Sequence, residues 1–246
     1  MLSRPSRTAV GILLLFGLAT TVGCTRSLEM SYTPSLYRLP RAEQLGGIVL
    51  GVGKLEDRRS WIERSDPESQ SYVMQSGPWR FGLTYKAKEF VPVADLVQSL
   101  LVDEFNRAGV AARPLPAVLT KDDTAAMSAA GQQHGAGYAL GGRVHVFEIV
   151  NEQGFWTVTS RRAITLEIHV LQVTAGTLLV DSTVTHNDRQ NEGMGVLHST
   201  NVDRLMNTVF RQVVTQVVEQ VAAKLAMDPG DIGVRVTLVE AAAGVP

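Results

Sequence analysis

Cysteine is almost absent from this chain: one, Cys24, stands among 246 residues. No disulfide can close within such a chain, so its fold rests on an apolar core alone. A charge excess is also missing. Lys and Arg number 23 against 24 Asp and Glu, a net charge of −1, which excludes the basic field that nucleic-acid binding draws on. Long apolar runs are lacking too. Residues 9–19 form the one sustained apolar stretch, shorter than the roughly 20 residues of a membrane-crossing helix. Nucleotide-binding loops are missing as well. Gly51-Val52-Gly53-Lys54 has Ile48 where a phosphate loop needs its first glycine, Leu55 where it needs Ser or Thr, and Glu56 where a dinucleotide fingerprint needs its third glycine. These glycines are therefore expected to serve close packing along a strand, and no cofactor is expected.

The N-terminus is informative by what it holds. Arg4 and Arg7 precede the apolar run, which ends in Thr21-Val22-Gly23-Cys24. That is the layout of an export signal: charged, then apolar, then small residues. The ending resembles the lipobox of bacterial lipoproteins, with Thr21 where that motif usually has leucine; the alternative is a plain signal peptide with an incidental cysteine. The resemblance implies removal of residues 1–23, a diacylglycerol on Cys24 and stable anchoring, since each buried CH₂ contributes about 0.8 kcal/mol. Thr25, in place of the aspartate that retains such proteins in the inner membrane, implies the outer membrane of a Gram-negative cell, with the body in the periplasm. Without Arg4 and Arg7 the basic count falls from 23 to 21 against 24 acidic residues, a net charge of −3.

Residues 24–46, with Pro34 and Pro40 and no clear period, read as the lipidated cysteine and a flexible tether. Its roughly 20 residues reach about 65 Å extended and about 25 Å as a coil. Residues 47–228 read as one domain. A buried strand is expected at 48–55, then an insertion at 60–89 holding Trp61, Tyr72, Trp79, Phe81 and Tyr85, with a hairpin turn at Ser76-Gly77-Pro78. Val93, Leu96, Val97, Leu100, Leu101 and Phe105 recur at helical spacing up to Gly109. A short strand at 110–115 and an Ala-rich helix at 122–134, with Thr120 as N-cap, come next. Residues 138–149, 156–173 and 177–186 alternate with period two, which predicts an antiparallel meander with one wet face. Val202, Leu205, Met206, Val209, Phe210, Val213, Val214, Val217, Val218, Val221 and Leu225 then form one helical stripe. Valine is a mediocre helix former, so packing must hold this helix. Residues 229–246 read as a C-terminal tail. The expected fold is α/β, a two-layer sandwich of mixed or antiparallel sheet with helices packed on one face.

This order resembles the YajG-type lipoproteins over about residues 48–226, carried by residues 52–59, residues 100–109, Leu140-Gly141-Gly142-Arg143-Val144 and the helix from Asn201. The insertion at 60–89 departs from that pattern. A more distant likeness is to auxiliary lipoproteins of ABC-type lipid transport. The resemblance implies a two-layer α/β body without enzymatic activity.

Catalytic and metal-binding patterns find little support. His145, His169, Glu167 and Asp181 can share the wet face of the meander, but no short ligand spacing backs a metal site, and a solvated or partner-facing surface is expected. His186 and His198 flank a polar loop at 187–200 that includes Ser199, without a nucleophile motif. The partner-binding candidates are Asp57, Arg58 and Arg59 at a strand end, and Trp61, Trp79, Phe81 and Tyr85 in the insertion. For the charged trio the alternative is a salt-bridged strand end; for the aromatics it is a satellite core. The expected function is a non-catalytic, membrane-anchored periplasmic lipoprotein binding an envelope protein partner or phospholipid; the alternative is a lipid-handling auxiliary subunit of an ABC-type transport system.

Overall fold

The computed structural model describes residues 25–30, 32–34, 45–62, 69–73, 80–84, 90–153, 157–193 and 199–227. The expected α/β class is observed. Eight strands occur among the described residues: β1 (Thr25–Glu29), β2 (Val49–Lys54), β3 (Glu56–Asp57), β4 (Arg80–Thr84), β5 (Ala111–Val118), β6 (Tyr138–Gln153), β7 (Thr157–Gln172) and β8 (Thr177–Gly193). The helices are α1 (Val93–Arg107), α2 (Thr124–Gln133) and α3 (Ser199–Leu225). The main sheet runs β5-β2-β6-β7-β8, with β3 alongside β6. It is mixed: β5, β2 and β6 are parallel, and β6, β7 and β8 form the antiparallel meander.

The stripe of α3 is buried from Met206 to Leu225, the part whose side chains are described. Val209, Val213, Val214, Val217, Val218 and Val221 are buried in the main core with Leu166, Ile168 and Val170 of β7 and Leu96, Val97, Leu100 and Leu101 of α1. Phe210 meets Phe147 edge-on with ring centres 5.3 Å apart. Apolar packing thus supplies what valine's weak helix propensity does not.

One short helix lies on the other face. Met127 of α2 packs with Leu115, Leu119, Ala139, Leu171 and Val173 in a second, smaller core. Those side chains alternate onto the face opposite α3 and need their own cover. Asp123, rather than Thr120, caps α2: its carboxylate accepts from the Ala126 N–H at 2.8 Å. The glycines of β2 make room for this core, since a Cβ on Gly51 would lie 2.7 Å from Leu115 Cδ1 and one on Gly53 2.6 Å from Leu119 Cγ.

Of the tether expected at 24–46, residues 25–30, 32–34 and 45–46 are described, and several of these are docked. Thr25–Glu29 is strand β1, paired in parallel with β4. Met30 and Leu45 are buried in the main core, and Tyr32 packs on Phe210 with ring centres 6.1 Å apart. Scattered apolar residues without a period dock as single anchors, which periodicity cannot reveal. The expected hairpin in the insertion keeps one antiparallel bridge, Tyr72 to Gly82, but β4 takes β1 as its ladder partner. The polar segment expected as a loop from residue 187 continues β8 to Gly193, paired with the start of β7. The C-terminal tail lies outside the described residues.

Gln98 of α1 repairs the β2–β5 edge. Pro114 and Pro116 remove two N–H donors from β5. The buried Gln98 amide donates instead to Val52 O at 2.8 Å and Leu115 O at 2.7 Å. Gln98→Leu is expected to cost about 2 kcal/mol, because two carbonyls lose their donor. A urea denaturation midpoint unchanged from wild type would contradict this.

Candidate functional site

The residues singled out at the end of the first strand form a clamp. Arg59 is almost fully buried, with its Nη2 2.6 Å from Asp57 Oδ2. It also donates to Gln70 O at 2.7 Å and to Tyr72 O. Its guanidinium carbon lies 4.9 Å from the centre of the half-buried Trp61 ring, a cation–π contact. Asp57, Arg59 and Trp61 thus contact one another, and Arg59 also bonds the backbone at 70 and 72. Arg58 points outward and pairs with Glu56 at 2.7 Å. Beside the clamp opens a cleft of about 460 Å³, walled by Leu55, Ile62, Pro92 and Val118 and flanked by a Lys54–Asp95 ion pair at 2.9 Å. Phe81 lies in β4. Cys24, Trp79 and Tyr85 lie outside the described residues.

Removing the Arg59 side chain leaves the Asp57 carboxylate and two carbonyls short of partners. Arg59→Ala is expected to lose about 3 kcal/mol of stability and to expose the 69–73 segment to proteolysis. Chemical denaturation with limited proteolysis checks this; wild-type stability would show that the clamp is dispensable.

A second group assembles on the sheet face away from α3. The register places Gly141 beside His169, His169 beside Asp181, and Arg143 beside Glu167. Because Gly141 has no side chain, the chain leaving β5 crosses here. A Cβ on Gly141 would lie 2.3 Å from Leu119 O, and the Gly142 N–H donates to that oxygen at 2.8 Å. The crossing delivers Lys121 and Asp122 to the face. Lys121 Nζ lies 3.0 Å from Glu167 Oε1 and 3.2 Å from Asp181 Oδ1. Arg143 bonds Glu56 at 3.1 Å and also Asp122. His145 Nε2 meets Glu167 Oε2 at 2.8 Å. The result is a continuous charged network from Arg58 to Asp181.

At its centre sits His169, which alternation places on a wet surface and which is instead fully buried. Its Nε2 is 3.3 Å from Glu167 Oε1 and its Nδ1 3.2 Å from Asp181 Oδ1. Neither ring nitrogen completes a hydrogen bond. One ligand atom each from Glu167, His169 and Asp181 lies within 4.8 Å of the others. Sequence alternation identifies these three and His145. It misses Lys121, Arg143, Asp122 and Glu56, because the strand register and the crossing that join them are long-range. The Leu140-Gly141-Gly142 run is the available signal that a backbone passes close by.

Burial of Glu167 would raise its pKa, but hydrogen bonds from His145 and Lys121 outweigh it and hold the carboxyl down to about 2. Burial pushes the His169 imidazole below its usual value, against the pull of Glu167 and Asp181. Both shifts act in one direction. A carboxyl with a depressed folded pKa stabilises above its unfolded value, and a histidine held neutral opposes folding once it must charge. Stability is therefore expected to fall as pH drops below about 6.5, and again between about 4.5 and 2. The Glu167 share is at most about 3 kcal/mol. Denaturation midpoints across this range check it; a Glu167→Gln variant with the same acid limb as wild type would contradict it.

No protein-family model and no curated protein matches the chain. Solved structures do resemble it. Protein XCC0632 from Xanthomonas campestris, of the DUF330 family, superposes with a TM-score of 0.50 at 15% identity, over 82% of this chain and 95% of that one. Weaker likenesses are the PelC dodecamer from Paraburkholderia phytofirmans (TM-score 0.38, 13% identity, 73% and 91% coverage) and the lipoprotein GNA1162 from Neisseria meningitidis (TM-score 0.28, 13% identity, 68% and 99% coverage). At these identities the likeness to XCC0632 is one of fold.

Proposed function

We propose that this chain is a non-catalytic lipoprotein of the bacterial cell envelope, anchored through Cys24 in the outer membrane, facing the periplasm and binding a partner in envelope assembly or maintenance. The YajG-type resemblance belongs to the same reading. One observation carries it: Arg4 and Arg7, the apolar run at 9–19 and the small residues ending in Val22-Gly23-Cys24 follow the layout of a lipoprotein export signal. The geometry changes how the anchor works. Five residues lie between Cys24 and the buried Met30, a reach of about 20 Å over six steps, so on this reading the body rides close to the bilayer.

The lipid-transport alternative needs an apolar groove beside the last helix. The α3 stripe from Met206 to Leu225 is buried in the main core, which favours the first reading. Cell fractionation of wild type and Cys24→Ser, with mass spectrometry of the N-terminus and a crosslinked pull-down from native membranes, tests the proposal. The expected result is a diacylated Cys24, a soluble Cys24→Ser variant and a protein partner lost with the anchor. An unlipidated wild type, or a variant still in the membrane fraction, overturns it.

A further inference from the structure

We infer that Glu167, His169 and Asp181 form a binding site for a divalent transition-metal ion, with the Lys121 ammonium as its built-in competitor. The donor set is one imidazole and two carboxylates on adjacent strands, a combination suited to zinc and its neighbours rather than to calcium or magnesium. Every ligand atom lies within 4.8 Å of the others. A tetrahedral zinc ion with ligands at ~2.0–2.2 Å sets them about 3.3–3.6 Å apart, so the cluster must close by up to about 1.4 Å, a movement open to the half-exposed Asp181 side chain.

The contacts within the cluster are telling. The nitrogen–oxygen distances at His169 are 3.3 and 3.2 Å, yet neither ring nitrogen makes a hydrogen bond, and the ring is fully buried. The two contacts are made by different ring nitrogens, and an ion takes only one of them, so binding draws the other carboxylate round to the ligating nitrogen. An imidazole buried beside two carboxylates, and bonded to neither, is otherwise costly.

Lys121 places its ammonium between Glu167 and Asp181, 3.0 and 3.2 Å from them, and so stands in for the cation. Its side chain is about one-third exposed, and it comes from a surface crossing rather than from a strand. It can swing to solvent when an ion takes its place, at the cost of its pairs with Glu167 and Asp181. Arg143, 3.6 Å from Glu167, opposes a second cation, but Glu56 and Asp122 occupy it. His145, on the other oxygen of Glu167, orients that carboxylate as outer-shell partners of metal ligands do.

The test is calorimetric titration of the tag-free, full-length Cys24→Ser protein with zinc chloride at pH 7.5, with cobalt(II) absorption as a second readout of an N/O ligand set. Wild type should bind one zinc per chain. Lys121→Gln should bind at least tenfold more tightly, because the competitor is gone. Asp181→Asn, whose side chain is half exposed and tolerates the change, should bind at least tenfold more weakly. His169→Ala should lose binding if it folds, and Asp181→Asn carries the test if it does not. Absence of stoichiometric zinc in both wild type and Lys121→Gln overturns the site. So does equal affinity in Asp181→Asn, or magnesium binding as tightly as zinc.

Discussion

Strand β7 carries apolar side chains on both of its faces, and the need to cover both organises the molecule. Ile164, Leu166, Ile168 and Val170 point into the main core, while Leu171 belongs to the second. On the first face α1 and α3 provide the cover, which is why a 27-residue helix built on valine is stable: its stripe has nowhere else to go. On the second face α2 is only 10 residues long, enough to shelter Leu171 and Val173 at one end. The rest of that face is left to polar residues. The charged network thus occupies the place where apolar cover runs out.

Much of this was legible in the sequence, and the reasons are local. Helices α1 and α3 follow from apolar residues at 3-4 spacing, and the meander from alternation bounded by Ala175-Gly176. Position on the second face was legible for Glu167 and Asp181 by the same alternation. What escaped depends on contacts between distant segments. Thr25–Glu29 has no hydrophobic period, and it is a strand because Arg80–Thr84 lies beside it. Residues after His186 are polar on both faces, and they are strand because β7 extends far enough to pair with them. Burial of His169 follows from a glycine on one strand and a crossing chain from another. For Arg59 the sequence left a salt-bridged strand end and a recognition site both open, because two of its partners, Gln70 O and Tyr72 O, lie 11 and 13 residues away.

The insertion shows how one charge can fix an irregular segment. Residues 69–73 are held by a 3-10 turn, the bridge to Gly82, a bond from the Ile149 N–H to Val73 O and the burial of Val73. Arg59 reaches into this segment and bonds two of its carbonyls while Asp57 neutralises the charge. A guanidinium suits the task because its planar fork serves a carboxylate and backbone oxygens at once. On the proposed reading of the anchor the economy matters. Strand β1 pairs with β4, which comes after this segment in the chain, so the clamp steadies the ladder that stands next to the lipid.

The charged network is harder to account for by stability alone. Exposed ion pairs such as Arg161–Glu148 and Arg189–Glu152 sit farther along the same meander and contribute little. A sheet face furnished only with such pairs would fold equally well. Burying an imidazole whose two nitrogens make no hydrogen bond works the other way, since desolvation is not returned by a partner. Lys121 offsets the charge of Glu167 and Asp181 but does nothing for the ring. Folds keep a local conflict of this kind where something other than stability is served. The group that would resolve it must be small, cationic and a good acceptor of nitrogen and oxygen electron pairs, and that description fits a transition-metal ion better than any side chain within reach.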